Sequence, residues 1–315
     1  MNKVEETIRK YGSGSTKIPS ALKIEEIGSG STRIVLDGKK VQGKNMQIDG
    51  NAFEGWAIAT RVCTNGRVIL DVDKKFTFDR YIGKGHLCRF LYRAMRFSQQ
   101  YSEWFALSDY LKSEVDKFEQ YLKSGKYVNN VGKKDAGDKG KYDDENAVEA
   151  KLAEDGVLRK VIKSIDIGAG KVYRQLPVGL FSERVAKETS VFTRGKSAID
   201  LWNIDCDEIN IVELKTKNKM IGIITEIFFY CNYIYDFVRE ERLFSLSAIP
   251  KGKDNHRGYE EIVDSKIRKV NGIMLADYDN YHPWVNEESL DVLNKNNNSD
   301  LNYYLDNYHL KIVID

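Results

Sequence analysis

Apolar positions along the chain recur with two different periods, and the change from one to the other divides it. Between residues 33 and 72 short apolar runs dominate: Arg33-Ile-Val-Leu36, Ala57-Ile-Ala-Thr60 and Arg67-Val-Ile-Leu-Asp71. Asp37-Gly38, Asp49-Gly50 and Asn65-Gly66 stand between them. Such dipeptides make hairpin-type turns, so this stretch is predicted to be β-rich. Across 86–122 the period becomes helical. Leu87, Phe90, Leu91, Met95 and Phe97 fall near helical spacing, and 107–122 runs on without Gly or Pro. A short helix over the first eleven residues is the remaining element predicted on this side.

A second set of elements follows residue 145. Asp144 or Asn146 is placed to cap a helix to about Ala153, which continues or restarts over Val157–Ser164. Val172–Phe181 reads as a strand that Pro177 confines to an edge or a bend. Ser197–Ile204 and Ile209–Lys215 read as two strands joined by the acidic turn Asp205-Cys-Asp-Glu208. Ile221–Val238 reads as a long aromatic-rich helix, Val270–Ala276 as a strand, Leu290–Asn294 as part of a short helix and Leu310–Ile314 as a last strand.

Residues 123–145 belong to neither set. They hold four glycines, six lysines and five acids and almost no large aliphatic side chain, the composition of a linker. The predicted organisation is therefore an N-terminal α+β domain over 1–122, a linker over 123–145 and an α/β domain over 146–315. Hydrophobic residues at 42% and charged residues at 30% over 315 positions describe a chain able to bury a core. With 49 Lys+Arg against 47 Asp+Glu the net charge is +2. That excludes a polycation or an acidic tail but not a local basic face. Cys63, Cys88, Cys206 and Cys231 form no CxxC pair. Neither a zinc ribbon nor a disulfide framework is expected, and a reducing cytoplasmic setting is. Met1–Thr16 has no apolar leader core, and Thr225, Glu226, Asn232 and Asp236 interrupt the most apolar helix, so no membrane partner is expected.

The chemistry concentrates in the predicted hairpin. Side chains on a strand alternate between faces, so Glu213 and Lys215 share one face and Leu214 points to the other. If the two strands pair, Asp200 lies beside Glu213. Two carboxylates at the end of a buried hairpin repel unless a divalent cation lies between them, and oxygen-only ligands favour Mg²⁺ or Mn²⁺ over zinc. Lys215 on the same face can orient a water or stabilise charge developing on a phosphate. An acid two residues before a lysine occurs at Asp37, Asp73, Glu149, Glu213 and Asp264. Only Glu213 ends an apolar strand, follows a strand bearing another acid and precedes an apolar helix.

Asp200, twelve intervening residues and then Glu213-Leu-Lys215 resemble the core motif of the PD-(D/E)XK nuclease superfamily, the restriction-endonuclease-like fold. The resemblance covers about 145–315 and includes Thr225-Glu-Ile-Phe-Phe-Tyr-Cys-Asn232, similar to the helix after the ExK strand in bacterial members. Ile199 stands where the family usually has proline. The resemblance implies an αβββαβ core with a mixed central sheet flanked by helices. It implies an Mg²⁺- or Mn²⁺-dependent hydrolase of nucleic-acid phosphodiesters, with DNA ahead of RNA, and it allows a homodimer. A non-catalytic nucleic-acid- or protein-binding module on the same fold is the alternative. The family also adds a glutamate from the first core helix. Glu149 is the candidate, with Glu145 one turn earlier as the other choice. Catalysis would fall to Asp200, Glu213, Lys215 and Glu149, and the metal to Asp200, Glu213 and Glu149. A third reading makes Glu213 and Lys215 a surface ion pair.

Weaker candidates surround this set. Gln175 is placed to hold a site water or to be an edge-strand polar group. Arg194 and Lys196, before the Asp200 strand, are placed to touch phosphates. Arg89, Arg93 and Arg96, among aromatics, read as solvated arginines of an amphipathic helix or as a nucleic-acid face. Glu226 reads as a support for the site or as the wet side of its helix. Gly12-Ser-Gly-Ser-Thr-Lys-Ile18 and Gly28-Ser-Gly-Ser-Thr-Arg-Ile34 read as two similar surface turns entering strands, with a phosphate contact through their open backbone N–H groups as the other reading.

Overall fold

Helices and strands alternate from the start. A computed structural model describes residues 2–11, 16–28, 30–129, 145–193, 197–216, 219–238, 243, 245–246, 257–277 and 281–309. The chain divides into two compact units. The first is Met1–Ser124 with Met220–Glu226 and His282–Ser299; the second is Gly125–Lys219 with Ile227–Tyr281 and Asp300–Asp315. The expected organisation put 146–315 in one domain, whereas two of its segments pack with the first unit. Among the expected linker residues, Lys126–Val128 form a strand, and 130–144 lie outside the described residues.

In the first unit, α1 (Lys3–Lys10) is capped by the Asn2 side chain, which accepts the Glu5 N–H at 2.8 Å. β1 (Leu22–Glu26) and β2 (Ser31–Leu36) form a hairpin through Gly28 and Gly30, both at positive φ. Next come α2 (Gly38–Gly43), α3 (Phe53–Thr64), β3 (Arg67–Val72), α4 (Gly85–Gln100), β4 (Phe105–Leu107) and α5 (Asp109–Ser124). The sheet order is β1-β2-β3-β4, with β2, β3 and β4 parallel. The helix Glu287–Asn294 also belongs to this unit.

Three expectations are corrected here. Ala57–Thr60 lie inside α3, not on a strand. Every residue from Phe53 to Thr60 is buried, so no polar face marks a helical period, and a short apolar run does not distinguish helix from strand. The Asp-Gly and Asn-Gly pairs are not hairpin turns. Asp37 caps α2 by accepting the Lys39 and Lys40 N–H groups, a 3-10 turn runs over Asp49–Asn51, and Asn65 ends α3 at φ 50°. Arg89 and Arg93 are buried rather than solvated, so α4 presents no arginine face of the kind expected.

The second unit carries a five-stranded sheet in the order Leu301–Tyr308, Lys269–Asp277, Glu208–Lys215, Ser197–Asp205 and Tyr173–Val178. A small sheet of β5 (Lys126–Val128), β7 (Phe181–Ser182) and β10 (Ser245–Leu246) lies in the same unit. After α6 (Glu145–Leu152) and α7 (Val157–Val161), the strands β6 (Tyr173–Val178), β8 (Ser197–Asp205) and β9 (Glu208–Lys215) form an antiparallel meander. α8 (Gly222–Val238) crosses over to β11 (Lys269–Asp277), parallel to β9, and β12 (Leu301–Tyr308) adds in parallel outside it. β6 is an edge strand, which accommodates Pro177.

Alternation along the strands fixes the layers. Leu201, Val212, Leu214, Ile273 and Leu275 form one core with Val148 and Leu152 of α6 and Leu158 of α7. On the other face α8 approaches β11 at Gly272, where a Cβ would lie 2.5 Å from Cys231 Sγ. A buried amide ladder crosses the sheet: Asn271 Nδ2 donates to Asn210 Oδ1 at 3.0 Å, Asn210 Nδ2 to Asn203 Oδ1 at 3.2 Å and Asn203 Nδ2 to the Ile167 carbonyl at 2.8 Å. Leu310–Ile314 lie outside the described residues. The last described strand, β12, had no signal because its asparagines and Asp306 resemble loop composition. The Asp306 carboxylate accepts the Lys163 and Ser164 N–H groups at 3.0 and 3.2 Å.

Candidate functional site

The β8–β9 ladder pairs Leu201 with Val212 and Trp202 with Ile211. Continued by one residue, that register sets Asp200 opposite Glu213. Asp200 lies 8% exposed at this end of the hairpin, and its Oδ2 accepts the Leu214 N–H at 2.9 Å. Glu213 and Lys215 are buried on the face opposite Leu214, and Lys215 Nζ donates to Glu213 Oε1 at 2.6 Å. Both side chains are less than a tenth exposed, so this is no surface ion pair.

β6 brings the next side chain. Gln175 falls between the pairs Arg174–Leu201 and Leu176–Ile199, at the level of Asp200. Its φ is +53°, a left-handed conformation that costs a non-glycine residue of order 1 kcal/mol or more. Arg257 Nη1 donates to the Gln175 carbonyl at 2.6 Å. The Gln175 amide donates to both oxygens of Glu149, at 2.8 and 2.7 Å. The expected edge-strand polar group therefore clamps the helix glutamate.

Glu149 reaches the site from α6, whose Val148 and Leu152 are anchored in the core. It is 2% exposed. Arg174 Nη2 lies 3.6 Å from its Oε2 and donates to the Asn146 carbonyl at 2.8 Å. Oxygens of Glu145, Glu149 and Asp200 all fall within 4.8 Å of one another. Glu213 is not in that group, which is the one such group among the described residues. Burial pushes Glu149 up to about 7, against the pull of Gln175 and Arg174, and Glu145 adds to the rise. Burial also raises Asp200 well above the ordinary carboxylate range; Glu149 adds to it, while Lys215 and the Leu214 N–H oppose it. These carboxylates hold protons because desolvation outweighs the counter-charges beside them, Arg174 for Glu149 and Lys215 for Asp200.

Oxygen donors on one helix and one strand end, with Glu145 adding to the rise of Glu149 and both adding to that of Asp200, fit a hard divalent cation of the Mg²⁺ or Mn²⁺ type. Such an ion favours the deprotonated forms. The hairpin acids and lysine were visible from alternation. Glu145 was visible as the helix alternative. Arg174 and Arg257 were not singled out: Arg174 stands beside Gln175 in the β6 sequence, and Arg257 comes from a distant loop with no local signal. Glu226 is buried, which removes its wet-face reading. Arg194 and Lys196 lie outside the described residues. No helix among the described residues is long and apolar enough to cross a membrane. The cysteines are free. Comparison of the chain with protein-family models, curated proteins and solved structures finds no match.

Proposed function

We propose that the second unit is a divalent-metal-dependent nuclease that hydrolyses nucleic-acid phosphodiester bonds, DNA ahead of RNA, on a restriction-endonuclease-like core. The observation that carries this reading is the approach of Glu149 to Asp200 at the end of the β8–β9 hairpin that also carries the buried Glu213–Lys215 pair. Asp200 precedes Leu201, whose ladder partner Val212 precedes Glu213, Glu149 comes from the helix before the meander, and Lys215 is bonded to Glu213. The order helix, three-stranded meander, crossover helix and parallel strand supports the same core. Support for the αβββαβ assignment rests on topology and motif together.

Asp200, Glu149 and either Glu145 or Glu213 would hold Mg²⁺ or Mn²⁺. When bound, the ion would neutralise phosphate charge and lower the pKa of a water. The chain's own groups do the positioning. The Leu214 N–H fixes one Asp200 oxygen and leaves the other for a ligand. Gln175 holds both Glu149 oxygens, and Arg257 secures the backbone that presents Gln175. Lys215, bonded to Glu213, would turn its ammonium charge on an attacking water or on a phosphoryl oxygen gaining charge.

The test is cleavage of plasmid, single-stranded DNA and RNA with Mg²⁺ or Mn²⁺, comparing wild type with Asp200→Asn, Lys215→Met and Glu149→Gln. Metal-dependent cutting that falls at least about 100-fold in each variant, with unchanged circular dichroism, is the expected result. No cutting of any substrate together with no Mn²⁺ binding by calorimetry overturns the proposal.

A further inference from the structure

The first unit has a cleft at the carboxyl ends of two of its parallel strands. Residues 73–84, between β3 and α4, have no regular structure. This connection is long where about 2–6 residues are usual. Together with α5, which follows β4, the loop lines an open cleft of about 600 Å³.

The lining is aromatic and basic. The Phe76 and Tyr110 ring centroids are 5.9 Å apart, and those of Tyr81 and Tyr121 are 4.8 Å apart. The Phe76 N–H donates to the Tyr110 hydroxyl at 2.6 Å, which fixes that ring. Lys75 Nζ lies 5.6 Å from the Tyr110 ring centre. Lys75 and Arg80 are exposed. Across 73–84 the cations Lys74, Lys75, Arg80 and Lys84 face two acids, Asp73 and Asp79. Asp73 is engaged by the Gly38 N–H at 2.9 Å, and on α5 Lys117 is paired with Glu114 at 2.7 Å. The loop therefore has an excess of positive charge beside a wall of fixed aromatic rings.

We propose that this cleft binds a nucleotide of a single-stranded nucleic acid, its base against Tyr81 and Tyr110 and its neighbouring phosphates on Lys75 and Arg80. Every base offers a π face to an aromatic ring, and cations along the rim follow the backbone. In a duplex those faces are already stacked and out of reach. The inference goes beyond the cleavage reading and does not depend on it, since it concerns the first unit alone.

The experiment is fluorescence anisotropy of the full chain with labelled twelve-residue oligothymidylate and oligouridylate in EDTA. EDTA prevents metal-dependent cutting, so a failure of the nuclease reading leaves this measurement interpretable. Binding in either arm is expected, and the two arms report the preferred sugar. Lys75→Ala/Arg80→Ala should weaken binding at least about tenfold and lower the slope of log affinity against log salt by about two. Tyr110→Leu should weaken it by about tenfold. Lys112→Ala, an exposed charge of α5 outside the cleft, should leave it unchanged. The proposal is overturned if the double variant binds like wild type, if neither strand binds at low salt, if a duplex of the same length competes equally, or if free dTMP binds as tightly as the strand.

Discussion

Arg93→Met tests the reasoning about burial most directly. Arg93 and Glu54 are 1% and 0% exposed. Arg93 Nη1 donates to both Glu54 oxygens at 2.8 and 2.7 Å, and the Thr225 hydroxyl donates to Glu54 Oε2 at 2.8 Å. Burial is the largest influence on both groups. It raises Glu54 despite the arginine beside it and lowers Arg93 despite the carboxylate. Mutual attraction therefore does not fully offset desolvation. Removing the arginine alone leaves a dry carboxylate with the Thr225 hydroxyl and its own backbone N–H but no counter-charge, and should cost about 3–5 kcal/mol. That is a large part of a typical stability of about 5–15 kcal/mol. The loss should shrink at low pH. Without Arg93 the folded-state pKa of Glu54 stands further above its unfolded value, so the folded state binds the extra proton and stability falls as pH rises. Replacing both partners, Glu54→Leu with Arg93→Met, should restore stability to within about 1 kcal/mol of wild type or exceed it. Urea unfolding followed by tryptophan fluorescence reads the first unit, since Trp56, Trp104 and Trp284 lie there and only Trp202 lies in the second. A single-variant loss below about 1 kcal/mol, or a double variant as unstable as the summed singles, would refute the argument.

Other outcomes follow from the same structure. His282 is buried, accepts the Trp284 N–H at Nδ1 and lies edge-on to Trp56, and burial lowers it to about 4. Its neutral form stabilises the first unit fully above pH 6.5. That contribution fades as pH falls towards 4, by roughly 3 kcal/mol in all; denaturant titrations at pH 7 and pH 5 should show the slope, and His282→Asn should remove it. Gly272→Val would drive a side chain into Cys231 and Ile227, at 2.5 and 2.9 Å from even a Cβ. A loss above about 1–3 kcal/mol is expected in thermal unfolding. Saturating Mn²⁺ should stabilise wild type by about 2.7 kcal/mol at a hundred times its dissociation constant, and Asp200→Asn should abolish that stabilisation in a melting experiment.

The hairpin was legible because two independent signals coincide there: apolar alternation names the strands, and the same alternation sends Glu213 and Lys215 to one face. Glu149 and Glu145 were legible one step less clearly, since helical spacing gives a shared face but not the face that meets the sheet. The first unit misled where burial was complete. α3 has no polar stripe over Phe53–Thr60, so its period vanished. Arg93 reads as a surface charge because its counter-charge lies 39 positions away. Gln175 could not be seen as a clamp, because its positive φ is imposed by tertiary contacts such as Arg257 rather than by its own preference. β12 was hidden because its polar residues are satisfied only by folding, as Asp306 is by the backbone after α7.

The asparagine ladder acts as a ruler for the site it does not touch. A strand can slip by two residues and keep every apolar side chain on its proper face. Such a slip would move Glu213 about 7 Å from the level of Asp200 while keeping the inward face apolar. Hydrophobic patterning alone is blind to that error. The ladder is not, because a two-residue slip of β9 would break both bonds through Asn210, and a buried unpaired polar group costs about 1–3 kcal/mol. Alignment of the acids is thus encoded by residues with no chemistry of their own, at the far end of the same strands. A search for function that scores only the reacting groups would pass over Asn203, Asn210 and Asn271, although substitutions there would blur the site while leaving each of its members in the sequence.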